Sequence, residues 1–418
     1  MGTVNEFKSV YRTNGLRPAV KWVGRDLATS VFHPATYLLV DLSSPFLINQ
    51  DGLEERFRAN GSIEYYDRKR SFEIELPPGD DHVKTFRERP GTYTIDQPFV
   101  GELQDVLLVG SSPVPVSNDK KVILEAIGNP EVLTLNIVAT LREQVAGSTT
   151  KPTRDPDPID SAVLLYNQWN QGYYHWTVET LTRLEGVETY CERTGEVPKL
   201  IVGPDPNRFQ LQTLELLGYD QDDLITWDDR ARRVNNLIVP SMRRDLNPGT
   251  VSPIAYQWLR DRMRTAVASE APRTATDFSK RVYISREDAP RRQVVNEDEV
   301  LERLDRYGFE KYVLSEHSVA ENIALFVQAE TIVAPHGAGL TDMIYADDVT
   351  VIELFRSNDV RPSYFVLSEM LDHRYRYVLC ESDGPNLVVD PDRLEKRVTS
   401  ELELDSASER HDTDPGKP

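Results

Sequence analysis

The chain has 418 residues, of which 39% are hydrophobic and 28% charged, as expected for a folded protein of two or three domains. Its 68 acidic and 48 basic residues give a net charge of −20, which argues against general electrostatic binding of nucleic acid. No apolar run approaches the ~18 residues that span a bilayer, and no signal-peptide pattern opens the chain. Two cysteines, Cys191 and Cys380, allow at most one disulfide and no cysteine metal site. We therefore expect a cytoplasmic protein with reduced thiols.

The basic residues are mostly arginine: 36 of the 48, against 12 lysines. Acidic excess with little lysine is typical of proteins that work in high salt, and favours a halophilic origin over an ordinary acidic protein. Residues 1–26 reverse the pattern, with five basic and two acidic residues among aromatic and aliphatic ones. This segment could contact an anionic membrane face peripherally, or pack on the protein as an N-terminal arm, and both interpretations stay open.

The hydrophobic pattern divides the chain into regions. Short strands separated by turns are predicted first, and strands then alternate with helices, as in parallel sheets flanked by helices. The regions are a basic arm (1–30), a β-rich region (31–145), a Rossmann-like domain (160–245, with parts of 31–145), an interdomain helix and linker (246–279), a doubly wound domain (280–398) and a disordered acidic tail (399–418).

Strands and helices alternate most clearly after residue 160. Predicted strands are 162–166, 199–202, 236–239, 281–285, 312–314, 331–334, 349–355 and 375–379. Predicted helices are 173–193, 208–217, 252–269, 296–307, 318–329 and 362–371, with one more after residue 339. Asn296 with Glu299, and Ser318 with Glu321, have the spacing of capping boxes.

The first chemical cluster lies in residues 167–179, where a strand ends and a helix begins. His175 and Glu179 are four residues apart and share a helix face, with Arg183 one turn further. Such a pair can act as a general base with a partner that sets its tautomer. Aromatic residues next to it could stack on sugar rings or belong to the core. These are Trp169, Tyr173 and Tyr174.

The second cluster is the turn His336, Gly337, Ala338 and Gly339, between a buried strand and a helix. Free N–H groups at a helix start suit a pyrophosphate, and only small residues let it approach. His336 could donate to a phosphate oxygen. The pattern is neither a dinucleotide fingerprint nor a Walker loop, and a plain tight turn is the competing interpretation.

Two more charged residues lie at or within predicted strands. Arg286 ends the strand 281–285 and could bind a phosphate bidentately, or pair with Glu287 and Asp288. Glu353 lies inside an apolar strand, where a carboxylate needs hydrogen-bond partners; ribose hydroxyls or a backbone cap would supply them. No zinc motif or carboxylate cluster is present, so no metal site is predicted.

Together these residues resemble glycosyltransferase family 61 over about residues 160–356. The matching motifs, in order, are His175-Trp176-x-x-Glu179, Arg281-Val282-Tyr283-Ile284-Ser285-Arg286, Asn296, His336-Gly337-Ala338-Gly339-Leu340 and Val351-Ile352-Glu353. Thr182 stands where many relatives have Pro. The resemblance implies an α/β fold of GT-B type, with two Rossmann-like domains facing a cleft, preceded here by the β-rich extension.

The resemblance also implies an inverting transferase without an obligatory metal or cofactor. Its donor would be a nucleotide-sugar, typically a UDP-sugar, carrying a hexose, N-acetylhexosamine or pentose. Its acceptor would be a glycan or lipid-linked glycan, as in capsule or other polysaccharide biosynthesis.

By the same resemblance, Arg286 and the turn from His336 to Gly339 would hold the donor diphosphate, and Glu353 would lie near the ribose. His175 or Glu179 would be catalytic and face the acceptor. The expected acceptor contacts are Trp169, Tyr173, Tyr174 and Arg183. Two other hypotheses remain: a metal-dependent hydrolase built on His175 and Glu179, and a non-catalytic polysaccharide-binding protein.

Overall fold

The computed structural model describes residues 46–77, 83–127, 157–167, 169–243, 252–269 and 277–412. The predicted basic arm and its membrane contact lie outside the described residues. Within them, no helix has both the length and the apolar character needed to cross a membrane. The chain forms two compact units. The first unit comprises Met1–Ser71 and Thr94–Leu259, and the second comprises Phe72–Tyr93 and Arg260–Pro418.

The described part of the chain contains seventeen strands. They are β1 (Leu47–Ile48), β2 (Glu64–Tyr65), β3 (Arg70–Ile74), β4 (Gly91–Ile95), β5 (Phe99–Val109), β6 (Val114–Val116), β7 (Val122–Ile123), β8 (Ile159–Leu164), β9 (Lys199–Val202), β10 (Leu224–Thr226), β11 (Arg232–Pro240), β12 (Arg281–Ile284), β13 (Phe309–Tyr312), β14 (Thr331–Pro335), β15 (Thr350–Arg356), β16 (Arg374–Asp383) and β17 (Asn386–Val388).

Eleven α-helical segments accompany these strands in the described residues. They are α1 (Gln50–Asn60), α2 (Lys84–Arg87), α3 (Leu124–Ile127), α4 (Tyr173–His175), α5 (Leu184–Thr194), α6 (Arg208–Leu216), α7 (Pro253–Ser269), α8 (Glu297–Asp305), α9 (Val319–Gln328), α10 (Ser363–Met370) and α11 (Pro391–Asp412). A π-helical turn (Trp176–Thr180) and a 3-10 turn (Leu181–Arg183) join α4 to α5. Further 3-10 helices are Gln221–Asp223, Leu314–Glu316 and Ala338–Tyr345.

The first unit is built on one nine-stranded sheet of order β1-β7-β6-β5-β11-β8-β9-β10, with β2 also paired to β5. Strands β8, β9, β10 and β11 are parallel, in the spatial order 3-2-1-4 of a doubly wound sheet. On the other side of β11, β5 pairs antiparallel and leads to the strands of the N-terminal region. Strands β1, β2, β5, β6 and β7 of the β-rich region therefore extend this sheet.

Helix α1 occupies a region in which the sequence pattern predicts only strands, so that prediction is wrong here. Its N-cap Asn49 accepts a hydrogen bond from the Gly52 backbone N–H, and Gly61 ends it in the left-handed conformation with φ 73°. Leu53 and Phe57, one turn apart, are fully buried. A β-carbon at Gly101 would come within 2.4 Å of the Phe57 ring, so this glycine lets the helix approach β5.

The second unit contains a six-stranded sheet of order β13-β12-β14-β15-β16-β17. The first five strands are parallel and follow the doubly wound order 2-1-3-4-5, while β17 pairs antiparallel to β16. The predicted alternation of strands and helices after residue 280 is thus confirmed as a mixed α/β unit. The buried strand residues are mostly aliphatic and aromatic, as expected for a sheet covered on both faces.

The segment Phe72–Tyr93 comes from the predicted β-rich region but packs within the second unit. It forms the β3–β4 hairpin with α2 at its centre. Phe86 of α2 is fully buried and lies 5.1 Å from the ring of Phe365 and 4.9 Å from that of Tyr377. This aromatic contact explains why the segment belongs to the second unit.

Sequence patterns predicted some helix ends correctly and others incorrectly. Ser318 and Glu321 form the predicted capping box of α9. Asn296 does not cap α8, because its side chain bonds instead to the backbone N–H and carbonyl of Val389. The tail predicted to be disordered from residue 399 continues α11 to Asp412.

A buried histidine makes the stability of the second unit depend on pH. His373 has its Nε2 2.9 Å from the Met343 carbonyl oxygen and its Nδ1 3.4 Å from the Val349 backbone nitrogen. Burial lowers the pKa of His373 from 6.5 to about 4. The unfolded chain therefore takes up this proton at higher pH than the folded chain, and stability falls as pH drops through this window.

We expect His373 to contribute about 3 kcal/mol of stability near neutral pH that is lost as pH falls from 6.5 to about 4. Urea unfolding of wild type and His373→Asn at pH 7 and pH 4.5 measures this contribution. The difference in the free energy of unfolding between wild type and His373→Asn should be smaller at pH 4.5 than at pH 7. His317→Asn, at a partly exposed histidine of the same unit, is the control. An equal difference in unfolding free energy at both pH values would contradict the prediction.

Candidate functional site

The candidate site of the first unit lies just after β8, the strand from which the parallel part of the sheet winds in both directions. Ligands of doubly wound sheets bind at this switch point, beyond the carboxyl ends of the strands. His175 ends α4, and Glu179 lies in the π-helical turn that follows. Nδ1 of His175 is 3.0 Å from Oε1 of Glu179, so the predicted pairing of these two side chains is present.

The two members of this pair differ in exposure. The side chain of His175 is 35% exposed and that of Glu179 is 9% exposed. With Nδ1 protonated toward the carboxylate, Nε2 of His175 is left as an acceptor. The pair is therefore suited to remove a proton through His175, with Glu179 setting the tautomer.

Aromatic rings surround this histidine. The Trp169 ring centroid is 4.8 Å from that of His175, and Tyr174 meets the same ring edge-on at 5.4 Å. Tyr173 contacts Phe209 instead, at 5.2 Å. Trp169, Tyr173 and Tyr174 are all partly exposed, whereas Trp176 is buried in the core. The ring next to His175 with the largest flat surface is thus Trp169.

The predicted acceptor contact of Arg183 is wrong in this structure. Arg183 is only 4% exposed, and its Nη1 donates to the Leu164 carbonyl oxygen at 3.3 Å. Burial lowers the pKa of Arg183, while the charge of Glu125 opposes the shift. The π-helical and 3-10 turns change the rotation per residue, so Arg183 does not stay on the face of His175.

The candidate site of the second unit lies at its own switch point, where β12 and β14 end side by side. His336 follows β14 directly, and its Nδ1 is 2.5 Å from Oε1 of Glu353 in β15. Tyr375 in β16 donates to the other oxygen, Oε2, at 2.6 Å. Three neighbouring elements of the sheet thus contribute one hydrogen-bonded chain, Tyr375–Glu353–His336.

Glu353 has no access to a ligand, since it is 0% exposed and both its oxygens are bonded within the protein. The predicted contact of Glu353 with a ribose is therefore wrong; its partners are side chains of the same unit. Burial, together with the charge of Glu353, raises the pKa of Tyr375 well above 10, so the tyrosine stays a donor. Glu353 acts through His336 by fixing the proton on Nδ1.

Tyr375 was not singled out by sequence reasoning, and neither was Tyr364. The ring of His336 lies between Phe355, at 5.2 Å, and Tyr364, at 5.4 Å. Aromatic residues in apolar strands are ordinary core residues in a sequence, and nothing marks one whose hydroxyl meets a carboxylate. Only the strand register places Tyr375 near Glu353.

Arg286 extends from the end of β12 across the glycine turn. A β-carbon at Gly337 would lie 1.9 Å from Nη1 and 2.6 Å from Cζ of Arg286, so the guanidinium occupies the space a side chain would need. Gly337 has extended backbone with φ 179°, which any residue can adopt. This glycine is required for space and not for conformation.

The guanidinium of Arg286 is short of partners. Its Nη2 donates to the Arg291 carbonyl oxygen at 3.4 Å, and its buried Nε has no hydrogen-bond partner in the described part of the chain. The predicted alternative of an ion pair with Glu287 or Asp288 is not seen among the described residues. Glu287 pairs with Lys311, and Asp288 acts on Arg286 only through its charge, which opposes the lowering of the Arg286 pKa. Burial, followed by the charge of Arg292, lowers the pKa of Arg286. A partly exposed cation with a free donor at a switch point is suited to bind an anion.

The turn after His336 differs from its prediction in one respect. Residues Ala338–Tyr345 form a 3-10 helix rather than an α-helix. Ala338 and Gly339 are partly exposed at its start, next to Gly337. Among the described residues, no group of three or more histidine, cysteine or carboxylate side chains could hold a metal ion.

Replacing Gly337 by alanine tests the anion site without removing a charge. The flexible end of Arg286 would have to move, while the backbone accepts the side chain, so the fold should survive. We expect Gly337→Ala to weaken binding of inorganic pyrophosphate by about 10- to 100-fold, the loss of one or two charge-assisted hydrogen bonds.

Calorimetry measures the affinity against wild type, with Gly52→Ala in helix α1 of the first unit as the control. A β-carbon at Gly52 would lie 3.2 Å from its nearest neighbour, Oδ1 of Asn49. Wild-type affinity of Gly337→Ala would show that Arg286 does not bind the anion.

A comparison with known protein families gives a match over the part of the chain that carries these sites. The family model Glycosyltransferase 61 matches residues 173–352, a little under half of the chain. The match begins at α4, which carries His175, includes Arg286 and His336, and ends one residue before Glu353. No curated protein gives a match to the chain. The part of the chain that carries the candidate sites is thus similar to glycosyltransferase family 61, which supports a glycosyltransferase in general.

Proposed function

We propose that this protein is an inverting glycosyltransferase that moves a sugar from a nucleotide-sugar, typically a UDP-sugar in this family, to a glycan or lipid-linked glycan acceptor. The observation that carries the proposal is the Arg286 guanidinium lying over Gly337 with an unpartnered Nε. A diphosphate is the part of the donor that this arrangement suits. The family match supports a transferase acting on a sugar donor and an acceptor.

In the proposed donor site, Arg286 and His336 bind oxygens of the diphosphate. Nδ1 of His336 is bonded to Glu353, so Nε2 is the ring atom left to face a phosphate oxygen. The small side chains of Gly337, Ala338 and Gly339 leave room for the phosphate next to the backbone. Glu353, the partner of His336, lies in an inner strand of the sheet, so the ring is held in place before the donor binds.

In the proposed acceptor site, His175 is the general base and Glu179 orients it. The exposures favour this assignment, since His175 is the more accessible of the two. Trp169, next to His175, offers a face for stacking on the acceptor sugar.

The proposed reaction is one displacement. Nε2 of His175 takes the proton of the acceptor hydroxyl as its oxygen forms a bond to the anomeric carbon. The bond between that carbon and the diphosphate oxygen breaks, and its electron pair leaves with the nucleoside diphosphate. Arg286 and His336 stabilise the negative charge that develops there. A single displacement inverts the configuration at the anomeric carbon.

The donor half of the proposal is tested by nucleotide binding. We expect UDP to bind and to raise the melting temperature in high salt, and Arg286→Gln to weaken this binding at least tenfold. GDP and CDP, which keep the diphosphate and change the base, measure base preference. Arg87→Gln, at an exposed arginine of the same unit, is the control and should bind as wild type. If wild type binds none of these nucleotides, the proposed function is wrong.

The acceptor half is tested by turnover. We expect His175→Ala to lower kcat by about 10²- to 10⁴-fold with UDP affinity unchanged, because the base is lost but the donor site is intact. Glu179→Gln should lower kcat less, since it only orients the base. UDP release with a panel of pentose, hexose and N-acetylhexosamine glycosides as acceptors measures the rate. Wild-type turnover of His175→Ala would assign the base elsewhere.

The GT-B arrangement, the sugar and a peripheral membrane contact of residues 1–26 remain predictions. They depend on the family resemblance and on the N-terminal charge pattern. The nucleotide-binding experiment above needs none of them to hold.

A further inference from the structure

A second group of arginines lies near Arg286 in the second unit. Arg356 is the last residue of β15, and Arg361 follows it in the next loop. Arg292 lies in the loop after β12. Because β12 and β15 are both strands of the parallel part of the sheet, these loops leave it at the same carboxyl edge.

All three arginines converge on one carboxylate, Asp359. Its Oδ2 accepts from Nη2 of Arg292 at 3.1 Å and from Nη2 of Arg356 at 2.8 Å, and its Oδ1 accepts from Nε of Arg361 at 3.2 Å. Burial alone would raise the pKa of Asp359, but the three guanidinium groups hold it well below its usual range. One negative charge is therefore shared by three positive charges.

The positive charge that is left over lies next to Arg286. Nη2 of Arg286 donates to the carbonyl oxygen of Arg291, the residue before Arg292, at 3.4 Å. The charge of Arg292 is, after burial, the second cause that lowers the pKa of Arg286. Arg286 itself has no carboxylate within ion-pair distance in the described part of the chain. Arg356 keeps a buried Nε without a hydrogen-bond partner there, as Arg286 does. Bringing these like charges together is unfavourable until an anion binds between or against them.

The backbone at Arg292 indicates that this position is imposed by the fold. Its φ of 59° is left-handed, which is uncommon for a residue other than glycine. A hydrogen bond from its N–H to the Pro385 carbonyl oxygen, at 2.9 Å, holds the turn. Non-glycine residues in this conformation are concentrated where a side chain must be aimed.

We propose that Arg292, Arg356 and Arg361, gathered on Asp359, form a second anion subsite beside Arg286. It takes the second phosphate group of the donor diphosphate, while Arg286 and the glycine turn take the first. This inference rests on the proposed function. Asp359 is the positioning residue of the subsite, because it holds the guanidinium groups together and does not itself touch the phosphate.

Pyrophosphate and orthophosphate separate the two subsites. An anion with two phosphate groups can use both, whereas orthophosphate fills one. We expect Arg292→Gln to weaken pyrophosphate and UDP binding by about tenfold and to bring the preference for pyrophosphate over orthophosphate close to one. Arg361→Gln, at a side chain 58% exposed and so of little consequence for folding, should have a smaller effect in the same direction.

The salt dependence supplies a readout that a purely structural role would not change. Affinity for pyrophosphate, measured by calorimetry over a range of salt concentrations, should fall less steeply with salt in both variants, because fewer charges contact the anion. Arg303→Gln is the matched control: this arginine also pairs with a carboxylate, Glu395, between helices α8 and α11. It should bind as wild type.

The outcomes distinguish this inference from the proposed function. If wild type binds UDP but Arg292→Gln and Arg361→Gln keep wild-type affinity and salt dependence, the second subsite is wrong and the transferase proposal stands. If both variants lose pyrophosphate affinity but wild type does not bind UDP, the subsite stands and the nucleotide donor is wrong. If Arg292→Gln does not fold, the Arg361→Gln affinity and salt dependence decide.

Discussion

The carboxylate of Glu353 is the constraint on which the C-terminal site depends. A charged side chain with no exposure is strongly unfavourable unless each oxygen is bonded, and here His336 and Tyr375 bond one oxygen each. These three residues belong to neighbouring elements of one parallel sheet, so the register of the sheet sets the position of the His336 ring. Only Nε2 of that ring remains available to a ligand. The chemistry at the surface is thus determined by a buried hydrogen-bond chain.

The same pairing of histidine with glutamate occurs in both units, and burial gives the two pairs different properties. In the first unit, the side chain of His175 is 35% exposed and that of Glu179 is 9% exposed. In the second, His336 is 9% exposed and Glu353 is fully buried. An accessible histidine is suited to exchange a proton with a bound substrate, whereas a confined one is suited to hold a fixed position against a ligand. This contrast supports assigning base and electrostatic roles to different units.

The net charge limits how this protein can bind an anion. With a net charge of −20, the protein as a whole repels anionic ligands at long range. A phosphate-binding site in such a protein depends on short-range contacts with arginines that the fold holds in place. Arg286 over Gly337, and the arginines around Asp359, provide contacts of this kind.

The amino-acid sequence by itself determined the α/β alternation after residue 160, the capping box at Ser318 and the clusters at His175 and His336, because these are signalled by local spacing. Helix α1 was missed, since its caps and its buried face make sense only once β5 is in place. Whether Arg183 and Glu353 reach a ligand could not be predicted, as burial depends on neighbours distant in the chain. Tertiary structure alone decided that Tyr375 completes the Glu353 site and that Asp359 gathers three arginines, because strand order and register bring together residues that no sequence pattern links.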